Sequence, residues 1–89
     1  MKIKDGYVVR EVLDEYVIVP TGERTFELNG VISVDKVGMD IWNFLLEDIT
    51  RDQLVQKMLD LYEVEKEELS KDIDEVIEKL KEAKVLENL

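Results

Sequence analysis

The chain has no cysteine and no histidine. The first absence excludes disulfides and thiolate nucleophiles, the second excludes imidazole acid–base catalysis, and together they remove every usual zinc or iron–sulfur ligand set. Most enzyme mechanisms go with them, and no cofactor is expected. No run approaches the roughly 18 apolar residues that a membrane span requires. Lys2 and Lys4 are followed by Asp5-Gly6 and not by an apolar segment, so no secretory signal is expected either and the expected compartment is the cytoplasm. Basic residues are also scarce. Twelve Lys and Arg against 22 Asp and Glu give a formal net charge of −10, a surface that repels phosphate backbones and anionic lipid head groups. Nucleic acid and membrane are therefore not expected partners. Such a surface suits a basic partner, although acidity also serves solubility alone. At 89 residues the chain is read as one domain, 1–89, with a single core.

Against these absences stands one informative segment, Leu28-Asn29-Gly30-Val31-Ile32-Ser33-Val34. Asn-Gly supplies the two positive-φ residues of a type I′ turn, between Thr25-Phe26-Glu27-Leu28 and Val31 to Val34, both of strand propensity. The second strand is short and apolar and carries no lysine to guard its edge, which makes it a docking surface or a hazard. Upstream, Tyr7 to Leu13 and Tyr16 to Val19 flank Asp14-Glu15 as a first hairpin, and Pro20 and Gly22 end its second strand.

From residue 36 the spacing becomes helical. Asp35 sits at an N-cap position, and Val37, Ile41, Trp42, Phe44 and Leu45 place apolar residues on more than one face, predicting a largely buried helix. Thr50 and Gln53 form a capping-box signature before a stripe of Leu54, Val55, Met58, Leu59 and Tyr62. A third helix is predicted over about 65–84, with Leu69, Ile73, Val76, Ile77, Leu80 and Ala83 on one face. Strands first and helices second is α+β order. The expected fold is a small antiparallel three-stranded sheet at the N-terminus, packed on a three-helix, winged-helix-like bundle at the C-terminus.

Tyr16-Val17-Ile18-Val19-Pro20, Leu28 to Val34, Gly38 with Ile41-Trp42-Asn43-Phe44-Leu45, and Thr50, Leu54 and Tyr62 together resemble the PqqD-like proteins over nearly the whole chain. That family is named for the small protein of pyrroloquinoline quinone biosynthesis, and its domain is the recognition element for ribosomally made precursor peptides. The resemblance implies a non-catalytic peptide chaperone. It would bind the leader of a precursor peptide and present the core segment to a modifying enzyme, often a radical S-adenosylmethionine (SAM) enzyme. The leader typically adds a strand in the cleft between the third strand and the third helix. Where family members often carry a small hydroxyl residue near the first-helix start, this chain has Val37, which cannot donate a hydrogen bond.

On that reading the candidate peptide-binding residues are Val31, Ile32, Ser33 and Val34 on the strand, and Asp72, Ile73, Val76, Ile77 and Leu80 on the third helix. The strand would offer backbone groups to an incoming peptide. Val31 and Ser33 face one side and Ile32 and Val34 the other, and spacing alone does not say which pair lines the cleft. The competing occupant of the edge is Met1 to Lys4 or a neighbouring subunit. The stripe of Ile73, Val76 and Ile77 is wide enough to serve both core and cleft, with Asp72 and Lys79 at its polar border. Trp42, Met39 and Met58 are expected in the core. The acidic run Glu63, Glu65, Glu67, Glu68 reflects a helix N-terminus, since it lacks the pattern of a calcium loop.

Two other functions compete. A winged-helix nucleic-acid reader would need a cationic recognition helix, yet residues 65–84 hold eight acids against five lysines, and nothing follows to build a wing. A structural adaptor would use the open edge for dimerisation, and the expected state is a monomer or weak homodimer.

Overall fold

A computed structural model of the protein describes residues 1–22 and 32–88. The elements run β1 Lys2–Ile3, β2 Tyr7–Val12, β3 Glu15–Pro20, β4 Ile32–Val34, α1 Lys36–Phe44, α2 Arg51–Leu61, α3 Lys66–Glu82 and β5 Leu86–Glu87. The switch of period near residue 35 is therefore real. The expected Asn29-Gly30 turn, the strand at 25–28 and Val31 lie outside the described residues.

Strands β2, β3 and β4 form an antiparallel sheet in that order. Val12 lies opposite Glu15, so the connecting turn is Leu13-Asp14, one residue earlier than the polar pair Asp14-Glu15 suggests. Leu13 adopts a left-handed φ of 57° with its side chain 91% exposed, a conformation costing a non-glycine residue about 1–2 kcal/mol. Burial overrides turn preference here. Ile18 is fully buried, and a one-residue slip of β3 would turn it to solvent.

The phase of the ladder follows from one bond. The Thr21 N–H donates to the Gly6 carbonyl at 2.7 Å, which makes Gly6 opposite Thr21 a hydrogen-bonded pair and, by alternation, Arg10 opposite Val17 another. Tyr16 and Ile18 consequently turn their backbone groups toward β4, where they meet Val34 and Ile32. Ser33 is left with its N–H and C=O pointing away from β3. Pro20 has the same parity as Ile18, so it offers no N–H on the β4 side.

The inner face of the sheet packs on the helices. Ile18, Ile32 and Val34 share a buried cluster with Ile41, Trp42 and Leu45 of α1, Leu54, Val55 and Met58 of α2, and Leu69, Ile73, Ile77 and Leu80 of α3. Asp35 caps α1, its Oδ1 accepting from the Gly38 N–H at 2.9 Å. A Cβ on Gly38 would lie 2.6 Å from the Val34 Cβ, so only glycine lets α1 approach β4 this closely. Thr50 and Gln53 close the expected capping box on α2, at 3.1 and 3.0 Å. Arg51 reaches across to Asp74 of α3 with a two-pronged salt bridge at 2.6 and 2.9 Å. On the other side the Tyr62 hydroxyl donates to Asp40, which Lys36 also contacts at 2.7 Å.

The N-terminal segment does not cover β4. Lys2 and Ile3 pair instead with Glu87 and Leu86 of β5, while the Ile3 and Lys4 amides donate to the Leu45 and Val85 carbonyls, each at 2.8 Å. Ile3, Val85 and Leu86 are buried, so apolar burial holds this ribbon against the bundle. No helix among the described residues is long and apolar enough to cross a membrane.

Candidate functional site: an open strand edge beside a helix

The outward edge of β4 faces α3 across a cleft of about 290 Å³ lined by Ser33, Val34, Asp35, Glu75, Val76 and Lys79. Ser33 brings the backbone N–H and C=O that point away from β3. Val76, half-buried, brings apolar surface, and Asp35 and Glu75 bring carboxylates. The Lys79 ammonium donates to the Ser33 carbonyl at 3.3 Å. The strand has no lysine of its own, but the helix supplies one.

The structure sorts the sequence-derived candidates into three groups. Ser33, Val34 and Val76 line the cleft. Ile32, Ile73, Ile77 and Leu80 are buried in the core, where they hold β4 and α3 in place from behind. Asp72 is exposed, one turn before Val76 on the same face of α3. Val31 is outside the described residues. Which strand face points where is also decided: Ile32 and Val34 are buried and face inward, so Ser33 faces the other side.

Asp35 and Glu75 were missed as lining residues, because Asp35 reads first as a cap and Glu75 as one acid among many. Helical spacing carried the signal, since 72, 75, 76 and 79 fall on one stripe. A larger depression of about 750 Å³ runs along Lys66, Glu67, Ser70, Lys71, Asp74, Glu75 and Glu78. It is an open, charged helix face that offers no strand edge.

Chemically the cleft can accept an extended peptide. A strand laid along β4 gains the Ser33 amide as donor and, if Lys79 moves aside, its carbonyl as acceptor, while side chains on one face of the peptide meet Val76 and the flanking charges.

Comparison with known proteins bears on this geometry. Residues 15–86 match the model of the family described as "Coenzyme PQQ synthesis protein D (PqqD)". A solved structure described as "TbiB1 in Complex with the TbiA(beta) Leader Peptide" is similar in fold, with a TM-score of 0.73 and 25% identity, covering 100% of this chain and 98% of that one. No curated protein sequence matches.

Proposed function

Because the chain belongs to the PqqD family, we propose that it recognises the leader of a ribosomally synthesised precursor peptide by strand addition to β4 and presents it to a modifying enzyme. The observation that carries this reading is the pair of outward-facing Ser33 backbone groups beside α3, in a fold similar over its full length to a protein solved with a leader peptide. The peptide lies between Ser33 and Val76, with Asp72 at the entrance. Ile32 and Val34 complete the strand, and Ile73, Ile77 and Leu80 support the cleft from within.

The protein acts without catalysis of its own, in the cytoplasm, as a monomer or weak homodimer beside an enzyme of the radical SAM or another peptide-modifying class. Its acidity favours a basic leader or enzyme and opposes duplex DNA.

The edge offers a few hydrogen bonds at roughly 1 kcal/mol each and burial of two or three side chains at roughly 1.5–3 kcal/mol each. Ordering the leader costs on the order of 2–5 kcal/mol, with a further association penalty, so the dissociation constant falls around micromolar. The test is to titrate leaders of short peptides encoded beside this chain's gene into ¹⁵N-labelled protein. The largest amide shifts are expected at Ser33 to Asp35 and Asp72 to Lys79. Largest shifts across residues 50–62 would overturn strand addition.

A further inference from the structure

The geometry points to Lys79 as a displaceable guard of the β4 edge: its ammonium holds the Ser33 carbonyl while the cleft is empty and yields it to a backbone N–H of an incoming strand. This deepens the leader-binding reading and rests on it for its peptide arm.

Three observations carry the inference. The Thr21 to Gly6 bond sets the ladder phase, so that the Ser33 carbonyl is one that β3 does not use. The Lys79 ammonium stands 3.3 Å from that same carbonyl. Lys79 and Ser33 both line the cleft, so any strand that pairs with β4 must take the place of the ammonium. Proteins protect open edges with lysines placed on the edge strand itself. Here the guard stands on a helix across the cleft, on a long flexible stem that can swing to solvent without moving the backbone. A guard built this way blocks the edge against casual pairing and leaves it intact for a peptide with further contacts along the cleft.

Displacement sets a threshold on binding. Lys79→Met keeps the stem and removes the donor, so the empty protein loses one exposed hydrogen bond that the peptide complex never contained. Peptide affinity should then rise by about two- to tenfold, the range spanned by one such bond. Lys79→Arg keeps a donor and should bind like the unaltered chain.

The test uses the full chain and its two variants, titrated with the TbiA(beta) leader peptide. Tighter binding by Lys79→Met alone supports the guard, whereas equal or weaker binding by that variant overturns it and makes Lys79 a bystander or a direct contact. If none of the three proteins binds this leader, the leader reading fails for that peptide and the guard is decided without ligand, from the Ser33 carbonyl ¹³C shift. An upfield move in Lys79→Met that Lys79→Arg lacks supports the guard. An unmoved Ser33 carbonyl in both variants overturns it.

Discussion

Proline placed at each of two neighbouring positions on β4 should separate folding from binding. At position 32 it removes an N–H that pairs with Ile18, leaves a buried carbonyl unsatisfied at roughly 1–3 kcal/mol, and replaces a side chain that is 7% exposed by a smaller one at a further cost of roughly 1–2 kcal/mol. Ile32→Pro should therefore cost about 2–5 kcal/mol, a large share of the roughly 5–15 kcal/mol that keeps a small domain folded. At position 33 the N–H points away from β3 and proline takes nothing from the ladder, so Ser33→Pro should cost the fold about 1 kcal/mol or less, as expected of proline on a free edge. Its ring, however, occupies the place where a leader carbonyl would accept. One hydrogen bond is lost and the peptide carbonyl is left unpaired, so affinity should fall by at least about tenfold, or 1.4 kcal/mol. Urea unfolding gives the first quantity and calorimetric titration the second. Equal destabilisation by the two prolines would refute the ladder phase, and unaltered leader binding by Ser33→Pro would refute pairing at this edge.

Gly38→Ala, which forces a Cβ to within 2.6 Å of the Val34 Cβ, should destabilise by about 1–3 kcal/mol and shift the β4 amides, seen as a lower melting temperature and altered NMR spectra. Burial raises the Asp40 carboxyl pKa, but the Lys36 and Tyr62 hydrogen bonds outweigh it and hold the group below its ordinary value. A depressed carboxyl contributes stability that is present above its unfolded pKa and lost as pH falls through the folded one. Unfolding free energy should thus decline below about pH 4, and Asp40→Asn should make that decline shallower in acid titrations followed by circular dichroism. The Tyr62 hydroxyl is raised by its hydrogen bond to Asp40 and by burial, so its contribution holds below its ordinary pKa and is lost at strongly alkaline pH, a loss Tyr62→Phe should abolish. With a net charge of −10, the chain should show no retention of random duplex DNA in a gel shift at physiological salt, and retention at low micromolar protein would overturn the electrostatic argument.

The helices were legible because each carries its own periodicity and, for α1 and α2, its own cap, so that Asp35 and the Thr50–Gln53 box could be read without tertiary information. The first hairpin was legible in its strands but not in its turn, where the burial of Ile18 outweighs the preference of Asp14-Glu15 for a loop. The β1–β5 ribbon left no trace, since two-residue strands have no period and their partners lie at opposite ends of the chain. In the candidate site, the strand at 32–34 was readable from propensity, and the orientation of Ser33 was not. It depends on the phase of a ladder set at Gly6 and Thr21. Helical spacing makes the apolar stripe of α3 wide enough to serve both core and cleft. In the structure Ile73, Ile77 and Leu80 go to the core, and the cleft face is carried by Glu75, Val76 and Lys79.

The ribbon of β1 and β5 also governs the order of events in folding. Lys2 opposite Glu87 and Ile3 opposite Leu86 close a loop that contains nearly the whole chain, so the closure entropy is met in full before any of their bonds form. Contacts within the β2–β3 hairpin and within each helix are local and can form early, so the ribbon is expected to assemble late, after the transition state. Interactions absent from the transition state act on the unfolding rate and hardly touch the folding rate. The short ribbon is thus a clasp on the native state: weakening it at Ile3 should speed unfolding in stopped-flow measurements, shortening the time the β4 edge stays presented, and leave the folding rate nearly unchanged.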